Sequence, residues 1–242
     1  MDGVDPAWPS VAPFSRYDRV EVAQALLGRV LVDRAFGRAA LVSSFGADSA
    51  VLLHLVAGID ANTPVLFVDS GKLFAETLDY RDRLVAELGL RVVRTVGPDP
   101  QVLARRDPTG ERHALDPDGC CEIRKVEPLE AALAGFDAWL TGRRRHQAVT
   151  RASMGRLERD AAGRVKLNPL ADWSPADVAR YRRRHQLPAH PLESRGYRSI
   201  GCAPCTTAVA PGEDPRAGRW RHHPKTECGL HLAEARRSGG AD

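Results

Sequence analysis

Ala40-Leu41-Val42-Ser43-Ser44-Phe45-Gly46-Ala47-Asp48-Ser49 runs from an apolar stretch through a Ser/Gly turn into a second apolar stretch, Ser49 to Ala57, of helical length. A short apolar run that ends in a turn and passes into a helix reads as the first strand–turn–helix unit of an α/β protein. The alternation continues outward. Upstream, Val22, Ala25 and Leu26 place a helix between Val20 and Leu31. Downstream, Pro64 to Asp69 reads as a buried strand, Leu73 to Leu88 as an amphipathic helix and Leu90 to Val96 as a third strand. A helix over about Arg124 to Ala134 and a fourth strand at Asp137 to Thr141 complete the run. Strands alternating with helices predict an α/β fold, a parallel sheet with helices on both faces. Ligands of such sheets bind beyond the carboxyl ends of the strands, where the turns at Ser43–Ser49, Asp69–Gly71 and Thr141–Gly142 fall.

Beyond Arg143 the pattern weakens. Only Ser174 to Gln186 reads as a helix, with Ser174 as N-cap and Pro175 at its first position. The chain therefore divides into a Pro-rich N-terminal arm (1–18), an α/β domain (19–193) and a loop-rich C-terminal segment (194–242). A long segment with so little core of its own is functional or tied down by something else.

The 242 residues suit one α/β domain with a full core. Hydrophobic residues at 43% and charged residues at 27% are folded, not disordered, composition. No stretch approaches the roughly 20 apolar residues of a membrane span. The start, Met1-Asp2-Gly3-Val4, has neither the basic residues nor the apolar core of a secretory signal, so a cytoplasmic protein is expected. A net charge of +4 is too mild to imply nucleic acid. Two counts stand out. Of 35 basic residues only Lys72, Lys125, Lys166 and Lys225 are lysines, and there are five cysteines. An odd number argues against a disulfide framework and divides as four plus one.

Five constellations carry chemistry. Ser43-Ser44-Phe45-Gly46-Ala47-Asp48-Ser49 offers small residues and a helix N-terminus to an anion, although a plain capped turn would look the same. Asp69-Ser70-Gly71 could hold a ribose or the edge of a base. Cys120-Cys121 and Cys202-Ala203-Pro204-Cys205 supply four thiolates, which suit zinc or an iron–sulfur cluster. Adjacent cysteines diverge and share one centre only through unusual backbone geometry, which favours a cluster over a single ion. Arg143, Arg144, Arg145 and Arg151 follow a strand end, and guanidinium groups clamp phosphate and sulfate, while a solvated basic loop is the plainer alternative. Cys228 has Lys225, His231, Arg216 and Arg219 near it in sequence, and positive surroundings turn a thiol into a nucleophile. A spare surface thiol is the alternative there.

Taken together, these segments resemble the assimilatory sulfonucleotide reductases, in particular the iron–sulfur adenylyl-sulfate reductase branch, over roughly residues 40–231. The carriers are Ser43–Ser49, Asp69–Gly71, Cys120-Cys121-Glu122-Ile123-Arg124-Lys125, the arginine loop ending at Arg151, Gly196 to Cys205, and Glu227-Cys228-Gly229-Leu230-His231. The resemblance implies an adenine-nucleotide α-hydrolase-like (PP-loop) fold and a [4Fe-4S] cluster on Cys120, Cys121, Cys202 and Cys205. It implies that Cys228 attacks the sulfur of adenosine 5′-phosphosulfate, that AMP leaves, and that thioredoxin or a similar dithiol releases sulfite from an S-sulfocysteine. Lys125 matches a lysine between cluster and substrate and, with Cys228 and His231, makes the implied catalytic set. Arg151, Arg216 and Arg219 match arginines that contact the phosphosulfate. Ser43, Ser44, Phe45, Gly46, Ser49, Asp69, Ser70, Gly71 and Gly142 fall in the nucleotide-cradling turns. The Gly229 position would let the tail close and reopen.

Three other readings are weighed against this one. A reductase of the 3′-phosphorylated substrate usually lacks the cluster cysteines. An ATP-pyrophosphatase-type thiolase shares the fold but carries glycine where Phe45 stands, so Phe45 counts against close wrapping of pyrophosphate. A zinc-stapled binding protein would use the same four thiols without catalysis. A membrane or nucleic-acid partner is not expected, and homo-oligomer formation is left open.

Overall fold

The computed structural model describes residues 18–230; the rest of the expected N-terminal arm, and His231, lie outside the described residues. Asp18 caps the first helix, its carboxylate accepting the Val20 backbone N–H at 3.0 Å. Helix α1 (Arg19–Leu31) leads into strand β1 (Ala39–Ser43), and α2 (Ser49–Asp60), β2 (Val65–Val68), α3 (Ala75–Leu88) and β3 (Val93–Val96) follow in alternation. The chain then passes through α4 (Pro100–Arg106), α5 (Arg112–Leu115), α6 (Pro117–Cys121) and α7 (Glu127–Leu133) to β4 (Ala138–Leu140). Strands β5 (Leu157–Arg159) and β6 (Val165–Leu167) precede helix α8 (Pro175–Arg184).

The strands form one six-stranded sheet in the order β3-β2-β1-β4-β6-β5. All neighbours are parallel except β5, which runs antiparallel to β6. The central strands are buried on both faces, which is why they read as unbroken apolar runs. In β2, Val65 and Phe67 pack with Leu27, Val51 and Tyr181 of α1, α2 and α8, while Leu66 and Val68 pack with Leu129 and Leu133 of α7. In β4, Ala138 and Leu140 face the first group and Trp139 the second.

The sheet order sets the position of the site. From β1 the chain builds outward through β2 to β3, then crosses back to place β4 on the other side of β1. The turns after β1 and β4 therefore leave in opposite directions and open a crevice at the carboxyl end of the sheet.

Two elements depart from the pattern reading. The hairpin β5–β6 lies in a region where no strand is expected. Its strands have three residues each, and the middle of β6 is Lys166, 2% exposed, with its ammonium 5.0 Å from the Trp139 ring centroid. A charge inside a buried strand hides the apolar pattern. Near Cys120 the expected helix starts earlier, at Pro117, and runs through a π-helical turn, Glu122–Val126, into α7. Pro128 in the first turn of α7 lacks an N–H and crowds the carbonyl four residues back, a conflict that a wider turn relieves.

At α8, Ser174 is the N-cap read from the sequence, its hydroxyl accepting from Asp177 N at 3.2 Å, and the structure adds the reciprocal bond, the Asp177 carboxylate accepting from Ser174 N at 2.9 Å. Ser174→Ala is expected to lower unfolding free energy by about 1 kcal/mol, read as a lower urea midpoint at unchanged slope.

Candidate active site

Helix α6 and its π-helical extension present one face to the sheet's carboxyl end. Positions 120, 121, 124 and 125 follow an i, i+1, i+4, i+5 spacing, which on a helix spans about 140° of circumference. The side chains of Cys120, Cys121, Arg124 and Lys125 accordingly line one cavity, whose opposite wall is Cys202, Cys205 and Ser70. All five cysteines are free thiols. The two distant cysteine pairs expected to meet are thus on one cavity, and the unusual backbone begins one residue after the tandem pair. Among the described residues, no three His, Cys, Asp or Glu side chains converge as ligands of a single ion.

The second wall is built by several short links. The carbonyl of Lys72 accepts the Ala203 N–H at 2.8 Å, Leu73 bridges Cys202, and the Trp220 N–H donates to the Cys205 carbonyl at 3.0 Å. In the turn after β2, the Asp69 carboxylate accepts the Gly71 N–H at 2.8 Å, and Gly71 takes the left-handed φ of +70° that glycine favours. This turn holds Ser70 so that its hydroxyl shares a 3.0 Å hydrogen bond with Cys202 Sγ. Arg124 fixes the turn from the helix side. Its Nη1 donates to the Ser70 carbonyl at 3.0 Å, while Nε and Nη2 donate to Asp107 at 3.1 and 2.6 Å.

Lys125 is the cation among the thiols. Burial works against its charge, yet the facing Cys202, Cys228 and Cys121 hold its pKa above the ordinary lysine value. Burial pushes the Cys120, Cys121 and Cys205 thiols up. Burial also acts on Cys202, but Lys125 and the Ser70 hydroxyl outweigh it and bring that thiol below its usual value. Four thiols lining one cavity with Lys125, and a hydroxyl on one sulfur, fit a bound sulfur-rich anionic group.

The turn after β1 is read differently once its side chains are placed. Ser43 Oγ accepts the Phe45 N–H at 3.1 Å, so this hydroxyl shapes the turn from within. Phe45 takes a left-handed φ of +49°, and its fully buried ring packs edge-on against Phe67 at 5.3 Å. The residue keeps a glycine-like backbone and sends its ring into the core, so it does not block the turn's outer face. Ser44 is exposed, whereas Gly46 is buried 3.3 Å (from its would-be Cβ) beneath the Ile200 carbonyl. Asp48 makes no side-chain cap to α2 and instead pairs with Arg144, which leaves first-turn N–H groups beside Ser49 without a side-chain cap.

The arginines separate into two groups. Arg143 pairs with Glu158 at 2.6 Å, Arg144 with Asp48, and Arg145 with Asp172 and the Met154 carbonyl. Arg151 is 8% exposed and bound by the tail: its Nε and Nη2 donate to the two carboxylate oxygens of Glu227, both at 2.7 Å, and Nη1 donates to Gln147 at 2.6 Å. Arg216 donates to the Thr226 carbonyl at 2.7 Å and lies 3.6 Å from Glu227. Arg219 has no carboxylate partner among the described residues. Its guanidinium lies 4.4 Å from the Trp220 ring centroid and directly over Gly201, where any Cβ would come within 2.2 Å of it. Gly142 opens the turn after β4, with Leu52 Cδ2 3.9 Å from where its Cβ would stand.

The tail thus brings Cys228 within electrostatic reach of Lys125. Pattern reading found the thiols and the cations but missed the pairing of Glu227 with Arg151 and the fixing role of Arg124. The adjacency of Glu227 to Cys228 was visible; that its carboxylate answers a loop 76 residues away was not.

A switch-point α/β sheet with uncapped helix N–H groups and a thiol-lined cavity defines a nucleotide-handling enzyme of the PP-loop class. Residues 38–208 match the family model "Phosphoadenosine phosphosulfate reductase domain". An adenosine 5′-phosphosulfate reductase of Mesorhizobium japonicum is 56% identical over 194 residues, 80% of this chain and 76% of that protein. A phosphoadenosine 5′-phosphosulfate reductase of Gloeobacter violaceus is 42% identical over 229 residues, 93% and 90% of the two chains. The crystal structure of phosphoadenylyl-sulfate reductase from Candida auris superposes with a TM-score of 0.65 at 25% identity, covering 78% of this chain and 92% of that one. The chain belongs to the phosphoadenosine phosphosulfate reductase domain family, the sulfonucleotide reductases. Among the described residues no helix is long and apolar enough to cross a membrane.

The Arg124–Asp107 pair gives a test by pH. Burial raises the Asp107 pKa, but the hydrogen bonds from Arg124 and the Arg112 backbone N–H, with the Arg124 and Lys72 charges, together outweigh it and hold the folded value below the usual one. Stabilisation from this pair is therefore present above the unfolded pKa of about 4 and is lost as pH falls through the folded value. Asp107→Asn is expected to be less stable than wild type at pH ~7, with the gap closing below pH ~4, measured as paired urea midpoints.

Proposed function

We propose that this enzyme reduces adenosine 5′-phosphosulfate to sulfite and AMP in assimilatory sulfate reduction, with Cys228 as nucleophile and a dithiol of the thioredoxin type as reductant. The observation that carries the reading is Lys125, whose buried ammonium lines the thiol cavity and is held charged by Cys202, Cys228 and Cys121 together.

The substrate sulfur is shielded by anionic oxygens, so a thiolate reaches it only where fixed cations offset the charge. Lys125 and Arg219 are site cations without a carboxylate ion pair among the described residues, and they neutralise the phosphosulfate as Cys228 approaches. The S–S bond forms as the bond from sulfur to the phosphate oxygen breaks, and that oxygen keeps the electron pair as AMP leaves. A dithiol then attacks Sγ of Cys228, releasing sulfite. Its second thiol closes a disulfide, so the two electrons come from the dithiol and Cys228 returns as a thiol. The turns at Ser43–Ser49, Asp69–Gly71 and Gly142 hold the nucleotide, and His231 completes the motif.

Cys120, Cys121, Cys202 and Cys205 would hold a [4Fe-4S] cluster, whose contribution when bound is electrostatic. A step that consumes a reduced dithiol belongs to a reducing compartment, the cytoplasm. A preference for the 3′-phosphorylated nucleotide is the second reading, favoured by the names of the Gloeobacter and Candida relatives. Turnover on the two purified nucleotides separates them.

Cys228→Ser is expected to abolish sulfite release with nucleotide affinity largely retained; normal turnover would remove Cys228 as nucleophile. Lys125→Ala is expected to lose most activity while iron and sulfide content stay at the wild-type level. A colourless wild-type protein containing only zinc would contradict the cluster assignment.

A further inference from the structure

The segment from His222 to Cys228 has no branched apolar side chain to bury, so charges hold it. Thr226 and Glu227 are tied to Arg216 and Arg151. Lys225 is tied elsewhere. Its ammonium pairs with the carboxylate of Asp118 on α6, two residues before the tandem cysteines, and stands 5.6 Å from the ring centroid of Trp220. Ion pairs between exposed side chains contribute little. Here the lysine side chain is only 7% exposed, and an ammonium withdrawn from water is costly unless a carboxylate and a π face answer it. Both contacts lead to the cysteine cavity. Asp118 lies on the helix that presents Cys120 and Cys121, while Trp220 is 4% exposed and its backbone N–H donates to the Cys205 carbonyl at 3.0 Å. One ammonium therefore joins the tail to both cysteine-bearing elements, and Cys228 follows three residues later.

Resting on the reading of Cys228 as nucleophile, we infer that Lys225 is a positioning residue: by docking on Asp118 and on the Trp220 ring it fixes where the Cys228 thiol stands relative to α6 and the cavity. Three residues of chain span at most about 11 Å, so a fixed Lys225 confines Cys228 to the neighbourhood of the cysteine-bearing helix. Measured from Trp220, the same stretch has eight residues and could reach about 29 Å. The Arg151 and Arg216 contacts restrain the tail from the loop after β4 and from its own upstream segment, and neither ties it to α6. Those guanidinium groups carry more N–H donors than these bonds use, so they can serve a ligand at the same time. The Lys225 contact draws on neither of them, so it holds the tail with or without a nucleotide.

The test compares Lys225→Gln, Asp118→Asn, the double variant and Lys225→Arg in the full-length, cluster-loaded enzyme. The readouts are the single-turnover rate of AMP release at saturating adenosine 5′-phosphosulfate, the affinity for that nucleotide in a Cys228→Ser background, hydrogen–deuterium exchange of the tail peptide without nucleotide, and iron and sulfide content. Positioning by Lys225 predicts that Lys225→Gln and Asp118→Asn each lose about tenfold or more in rate, with affinity within about threefold of the parent. The double variant should be no slower than Lys225→Gln, because the two changes remove one contact. Tail exchange should accelerate in these three, with iron and sulfide at the wild-type level. Lys225→Arg keeps the charge and can stack on the indole, so its rate should lie within about threefold of wild type. Wild-type rate and tail exchange in Lys225→Gln would overturn the proposal, as would an Asp118→Asn variant that behaves as wild type. A loss of about tenfold or more in affinity with unchanged exchange would make Lys225 a nucleotide ligand, and a loss of iron would make the pair a support of the cavity; either result also overturns it. Exchange requires no turnover, so it decides the positioning role separately from the reductase reading, whose own failure would appear as a wild-type enzyme that releases no AMP.

Discussion

The proposed reaction brings an anionic thiol to an anionic phosphosulfate, a problem of charge that the buried Lys125 ammonium answers among the cavity thiols. It sits among Cys121, Cys202 and Cys228, and each of these thiols favours its charge against the cost of burial. The cavity wall, the tail and the turn after β2 all converge on it. Arg124, one residue earlier on the same helical face, ties that face to Asp107 and to the Ser70 carbonyl, and Ser70 in turn bonds Cys202. Removing a charge from such a set leaves its partners buried and unanswered, which is costly in a poorly solvated site.

The fold serves this arrangement by its topology. Reversal of strand order between β1 and β4 opens the crevice, and the π-helical turn after Cys121 carries the helix past Pro128 without breaking it. The C-terminal segment, poor in apolar periodicity, is held by backbone links to Lys72 and Leu73 and by paired charges. Its backbone carries one of the strained positions of the site, Trp220 at a φ of +47°, and Phe45 after β1 carries another.

The parallel βα units were legible because doubly buried strands leave unbroken apolar runs between turn residues, as Val65–Val68 shows. The four cavity thiols were legible by spacing and the fifth by the charges around it. The β5–β6 hairpin was not, because Lys166 interrupts a strand only three residues long. Phe45 was legible as a departure from a pyrophosphate-wrapping glycine but not as geometry: it keeps a left-handed φ of +49° and sends its ring into the core. The arginine loop illustrates the main limit of pattern reading. A run of guanidinium groups suggests an anion clamp, yet Arg143, Arg144, Arg145 and Arg151 are each answered by a carboxylate of the protein itself. Such partners are set by tertiary packing, up to 96 residues away in sequence, and leave no local signature.

In the proposed reaction sulfur passes from the nucleotide to one particular thiol, Cys228. The direct measurement mixes the cluster-loaded enzyme anaerobically with adenosine 5′-phosphosulfate and no reductant, then maps the peptides by mass spectrometry. AMP release is expected in step with the gain of a single SO₃ group on the peptide carrying Cys228, removed by a reduced dithiol. AMP release without such an adduct, or an adduct on a cavity cysteine in place of Cys228, would contradict it.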